Sequence, residues 1–111
     1  AIILAECPDI KEPGEFFDWF HYLTAFDMEK AVRKNFLISG WVAVRQLEYA
    51  NMGHIIMVTR ESNIKLARDA GVQGVATMEE ALAMAYKKCS SHCPKITIMP
   101  QGANTFPILE T

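Results

Sequence analysis

Four short apolar runs of strand length, residues 2–6, 54–59, 72–76 and 95–99, are spaced along this chain, and the stretches between them carry helical periodicity. Strands that alternate with helices assemble into a sheet of mostly parallel strands joined by right-handed crossovers. The run His54-Ile55-Ile56-Met57-Val58-Thr59 is mostly β-branched and apolar without alternation, the composition of a central strand buried on both faces. The expectation is therefore one α/β domain over residues 1–111, a small, mostly parallel sheet of about four strands with helices on its faces. No repeat, low-complexity stretch or linker interrupts it.

The helical segments can be read one by one. After Glu12-Pro13-Gly14, the residues Phe16, Trp19, Phe20 and Leu23 fall on one face, and such an aromatic stripe is what a helix needs to cover a core. Thr24 with Asp27 has the form of a capping box and starts a second helix with Met28, Val32 and Phe36 on its inner side. Ser39 is placed to cap a third helix that runs to about Asn51 and stops at Gly53, with Ala43, Leu47 and Ala50 inward. A fourth begins within Arg60-Glu61-Ser62-Asn63 and ends at Gly71. Thr77 with Glu80 caps a fifth, with Met78, Leu82, Ala85 and Tyr86 pointing in.

A chain of 111 residues holds one modest core and can bury roughly two-thirds of its unfolded surface. The formal charge of −2, with both signs interspersed, offers neither a basic stripe for nucleic acid nor an acidic tail. No run approaches the roughly 20 apolar residues of a membrane span. Three cysteines without framework spacing fit a reducing cytoplasm better than a disulfide scaffold. A first residue Ala1 that leads straight into a strand reads as a processed or excised segment.

Parallel strands set the loops that follow Glu6, Thr59 and Met99 along one edge. That edge supplies Cys7, Pro8, Asp9, Arg60, Ser62, Asn63, Gln101, Asn104 and Thr105, a set rich in hydrogen-bonding groups and without a nucleophile–base pair, which suits recognition rather than catalysis. Asp9 has no histidine beside it. Cys89-Ser90-Ser91-His92-Cys93 brings two thiols and an imidazole together, but structural zinc takes four ligands and no second pair accompanies them. Cys7 stands about 15 Å, one strand length, from Cys93. The segment reads as a connector, and no metal site is expected. His21 and His54 lack second ligands, and Gly71, Gly74 and Gly102 form no dinucleotide fingerprint. Trp41, in the first turn of the third helix, lies off the inward stripe and is free to face a partner or a ligand cleft.

The last strand stops at Pro100 and opens into Gln101-Gly102-Ala103-Asn104-Thr105-Phe106-Pro107, a polar loop closed by prolines at both ends. Such a loop is either a plain surface turn or, at a strand's carboxyl end, a place where ligands are met. The segment from Met99 to Pro107 resembles the closing motif of the C-terminal domain of the lactate racemase (LarA-type, nickel-pincer nucleotide) family. Ile2-Ile3-Leu4-Ala5-Glu6-Cys7-Pro8-Asp9 is similar to the strand and acidic-cysteine turn that open that domain, and the elements between agree in order and spacing.

The resemblance spans nearly the whole chain but only the C-terminal half of that family's usual protein. It implies an isomerase that moves a hydride off and back onto a small 2-hydroxy acid, its nickel-pincer nucleotide and acid–base histidines carried by an N-terminal domain of the same protein. This chain would be the lid or substrate-cleft half, with Trp41, Gln101, Gly102, Asn104 and Thr105 at the cleft, no catalytic residue and no cofactor of its own. The alternative is a stand-alone α/β binding or interaction module without catalysis.

Overall fold

A computed structural model describes residues 1–10, 14–91, 93–106 and 108. Among them three strands, β1 (Ile2–Leu4), β2 (Ile56–Val58) and β3 (Gln73–Val75), form a parallel sheet in the order β1-β2-β3. The register sets Ile2 beside Ile56 and Ile56 beside Gln73. Five helices accompany it: α1 (Glu15–Asp18), α2 (Ala25–Lys34), α3 (Ile38–Met52), α4 (Glu61–Asp69) and α5 (Met78–Lys88). The chain is thus a single α/β domain, with a parallel sheet as its alternating pattern requires.

Apolar burial falls into two clusters. Ile56, Val75 and Ala81 form one between the sheet and α5, with Ile2, Val58, Met84 and Ala85 packed on it. Met28, Val32, Ala43 and Val44 form the other between α2 and α3, closed by Phe16, Trp19, Phe20, Tyr22 and Leu47. Gly40 makes the second cluster possible, because a Cβ there would come within 2.6 Å of the Trp19 ring. Gly71, with φ of 77°, turns the chain out of α4, where an added Cβ would come within 3.4 Å of Ala50 and 3.7 Å of Leu47 of α3.

Both threonines cap their helices. The Thr24 Oγ1 accepts from the Asp27 amide at 3.1 Å and donates to the Asp27 carboxylate at 2.7 Å, and the Thr77 Oγ1 accepts from the Glu80 amide at 3.2 Å while the Glu80 carboxylate reaches past it to the Ala76 amide at 3.1 Å.

Several expectations need correcting. Ser39 does not cap α3: the helix begins one residue before it, at Ile38, and the Ser39 hydroxyl instead accepts from Trp19 Nε1 at 3.3 Å. Leu23 is 95% exposed, since α1 gives way to a 3₁₀ turn at Trp19–His21 and the chain turns extended at Tyr22 before reaching it. Phe36 is exposed because α2 ends before it, at Lys34. On α5 the fully buried residue is Ala81, while Met78 and Tyr86 are exposed, so the inward face is rotated from the one expected.

Residues 95–99 make no ladder with the sheet: they have no regular secondary structure, and Ile96, Ile98 and Met99 are exposed. Glu12 and Pro13, expected to open the first helix, lie outside the described residues. Burial also falls short. The accessible surface is 8809 Å², against roughly 6,200 Å² for a closed monomer of this mass, so about half of the unfolded surface is removed from water rather than two-thirds.

Candidate functional site

The carboxyl ends of β1 and β2 meet in a small polar knot. Parallel pairing carries on past the strands through the Ala5 amide, which donates to the Val58 carbonyl at 3.0 Å, and the Thr59 amide, which donates to the Val75 carbonyl at 3.0 Å. This sets the turn at Glu6 and Cys7 against the start of α4. Asn63 is buried there, and its Nδ2 donates to the carbonyls of Cys7 at 3.0 Å and Glu6 at 3.2 Å. The buried Thr59 hydroxyl also donates to the Glu6 carbonyl, at 3.4 Å. Ser62 donates its hydroxyl hydrogen to Asn63 Oδ1 at 3.3 Å, which orients the amide.

Cys7 itself has φ of 47°, a left-handed conformation that a non-glycine residue holds at a cost of order 1 kcal/mol or more and only when its surroundings enforce it. The Asn63 clamp supplies that enforcement. Outside the knot, the Arg60 guanidinium grips Glu6 Oε1 through Nε at 3.0 Å and Nη2 at 2.5 Å, an exposed pair that ties the two loops together at the surface.

The chemistry of this edge follows from its bookkeeping of donors. Thr59 and Asn63 spend their hydrogens on backbone carbonyls, so neither is free to activate a reactant. What the knot does is hold the backbone of Glu6 and Cys7 against the start of α4. The sequence placed Cys7, Arg60, Ser62 and Asn63 on a common edge, and the structure brings them together. It did not reveal that Asn63 would be buried as a clamp. No local signal could have found it, because an asparagine in a first helical turn reads as a cap.

The residues expected at a cleft are placed separately. Trp41 is 40% exposed on the first turn of α3, with the Arg45 guanidinium 4.6 Å from its ring centroid, a cation–π contact. Gln101, Gly102, Asn104 and Thr105 form a 3₁₀ turn at Gly102–Asn104, all exposed. Its hydrogen bonds are internal: the Asn104 amide and the Thr105 hydroxyl both donate to the Gln101 carbonyl at 2.8 Å. Pro107 lies outside the described residues. Because residues 95–99 do not join the sheet, nothing carries this turn to the edge where Cys7 and Asn63 meet.

An open groove of about 860 Å³ runs elsewhere, between α4, β3 and α5. Its charged side chains are largely engaged: Lys65 pairs with Asp69 at 2.5 Å, Arg68 reaches the Gly74 carbonyl at 3.5 Å and Glu80 accepts from the Ala76 amide. Among the described residues, no three His, Cys, Asp or Glu side chains converge. Cys89 and Cys93 are exposed, and His92 lies outside the described residues.

No protein-family model, curated protein or solved structure matches this chain.

Proposed function

We propose that the chain is the C-terminal lid and substrate-cleft half of a two-domain racemase or epimerase acting on a small 2-hydroxy acid of the lactate type by hydride transfer. Two things support the reading: the opening and closing motifs described above, and the unburied apolar surface. That surface carries the argument. A stand-alone binding module has every reason to close its own core, whereas this domain leaves Trp41, Ile96, Ile98, Met99 and Phe106 in water, the state of a domain completed by another.

In this reading the chain carries no cofactor of its own, and the buried Asn63 side chain at its sheet edge donates to backbone carbonyls. The cofactor, its ligands and the acid–base groups are assigned to the N-terminal domain. The lid contributes water exclusion and positioning, with Trp41 and the 101–105 turn facing substrate.

In the intact protein, residues 95–99 are proposed as a fourth strand, parallel to β1 along its outer edge. Among the described residues β1 has no ladder partner there, Ile3 and Leu4 are exposed, and α5 packs across β1, β2 and β3 so that a right-handed crossover can deliver the segment. The added strand would carry the 101–105 turn to the carboxyl edge beside Cys7.

The test is reconstitution. The chain is added to the cofactor-loaded N-terminal domain of a lactate racemase that lacks its own C-terminal domain, and lactate racemisation is followed by polarimetry. Turnover should appear with the chain and fall when Trp41→Ala is used, while circular dichroism of the variant stays unchanged. Alone, the chain should show neither turnover nor stoichiometric nickel. Failure to bind or activate that domain, or activity in the isolated chain, overturns the proposal.

A further inference from the structure

Helix α3 carries two apolar faces, and among the described residues only one has a partner. Gly40, Ala43, Val44 and Leu47 face the helical cluster. On the far side Ile38, Val42, Tyr49 and Met52 are exposed, from 50% for Val42 to 82% for Met52, with Arg45 in line between them. The steps from 38 through 42, 45 and 49 to 52 are four, three, four and three residues, the repeat that keeps a seam turned toward a second helix in left-handed packing. A surface helix normally shows one apolar stripe, so this second one asks for a cover.

We propose that the seam packs against the same seam of a second copy of this chain, the two α3 helices antiparallel about a two-fold axis. Charge selects that occupant. Arg45 and Glu48 are the only charged residues of α3; they sit three apart, partly exposed, and in the single chain they pair with each other at 2.5 Å. In the register that sets Val42 against Met52 of the second copy, Arg45 falls opposite Tyr49 of that copy, one residue from its Glu48, and Glu48 falls opposite Gln46, one residue from its Arg45. One cation and one anion related in this way make the patch self-complementary, the condition for an isologous interface.

The same register leaves Ile38 and Trp41 beyond the end of the opposing helix. The Trp41 end therefore stays free, and this inference does not rest on the function proposed above.

Sedimentation velocity on the full chain, from low micromolar to several hundred micromolar, tests it. The expected species has twice the 12.5 kDa chain mass. Val42→Glu and Met52→Glu change exposed positions, so circular dichroism should be unaltered while the dimer weakens at least about tenfold. Arg45→Glu should weaken it as well, and adding Glu48→Arg in the same chain should restore it, a recovery in mass that a pair confined to one helix would not produce. A monomer at every concentration overturns the proposal. So does a dimer indifferent to Val42→Glu, or one broken instead by Leu4→Lys at the outer edge of β1.

Discussion

Asn63 shows how one side chain can decide the shape of a loop. It spans two successive carbonyls, of Glu6 and Cys7, and thereby holds Cys7 in a left-handed conformation. Asn63→Asp keeps the shape but replaces the donor with a carboxylate that faces two acceptors. Loss of a buried donor of this kind costs about 1–3 kcal/mol, and urea denaturation should read a loss in that range or above it. Asn63→Ser should fall short of rescue, because its hydroxyl cannot reach both carbonyls. Gly40 is the second such residue. Gly40→Ala would drive a methyl group into the Trp19 ring and Val32, and overpacking of this kind typically costs about 1–3 kcal/mol, visible as a lowered melting temperature. Neither role is written in the local pattern: an Asn in a first turn reads as a cap, and a Gly inside a helix reads as a weak spot.

Among the strands, β1 is the least covered. It is an edge strand of a parallel sheet with Leu4 66% exposed, although parallel sheets are ordinarily buried on both faces. Hydrogen exchange measures whether residues 95–99 fill the edge. In the isolated chain the amides of Ile96, Ile98 and Met99 should exchange at nearly unprotected rates, those of Met57 and Val58 should be protected, and binding of the proposed partner domain should slow exchange at 96 and 98. Strong protection of 96 and 98 in the isolated chain would show that the fourth strand forms without a partner. The helices were more legible than the strands. The caps at Thr24 and Thr77 are local chemistry, completed within one turn, and both helices start where those residues put them. Ser39 had the right type but the wrong neighbours, since the Trp19 indole claimed its hydroxyl and α3 began at Ile38 instead.

For the molecule as a whole, two apolar clusters stand where one core was expected. Both tryptophans belong to the helical layer, Trp19 inside it and Trp41 on its rim, whereas circular dichroism reports on α4 and α5 as well. Urea unfolding followed by tryptophan fluorescence and by far-ultraviolet circular dichroism should therefore give midpoints that do not coincide, with the two curves merging once a partner covers the domain. Coincident curves would show that the two clusters unfold as one. The sequence by itself determined the α/β class, the parallel sense of the sheet and the helix starts at Thr24 and Thr77, because periodicity and capping act over a few residues. Tertiary structure alone decided which aromatic residues were covered, where Ser39 spent its hydroxyl, that Asn63 would clamp Cys7, and that residues 95–99 would stand outside the ladder. Those outcomes depend on atoms more than fifteen residues apart in the chain meeting in space, and no local pattern carries that information.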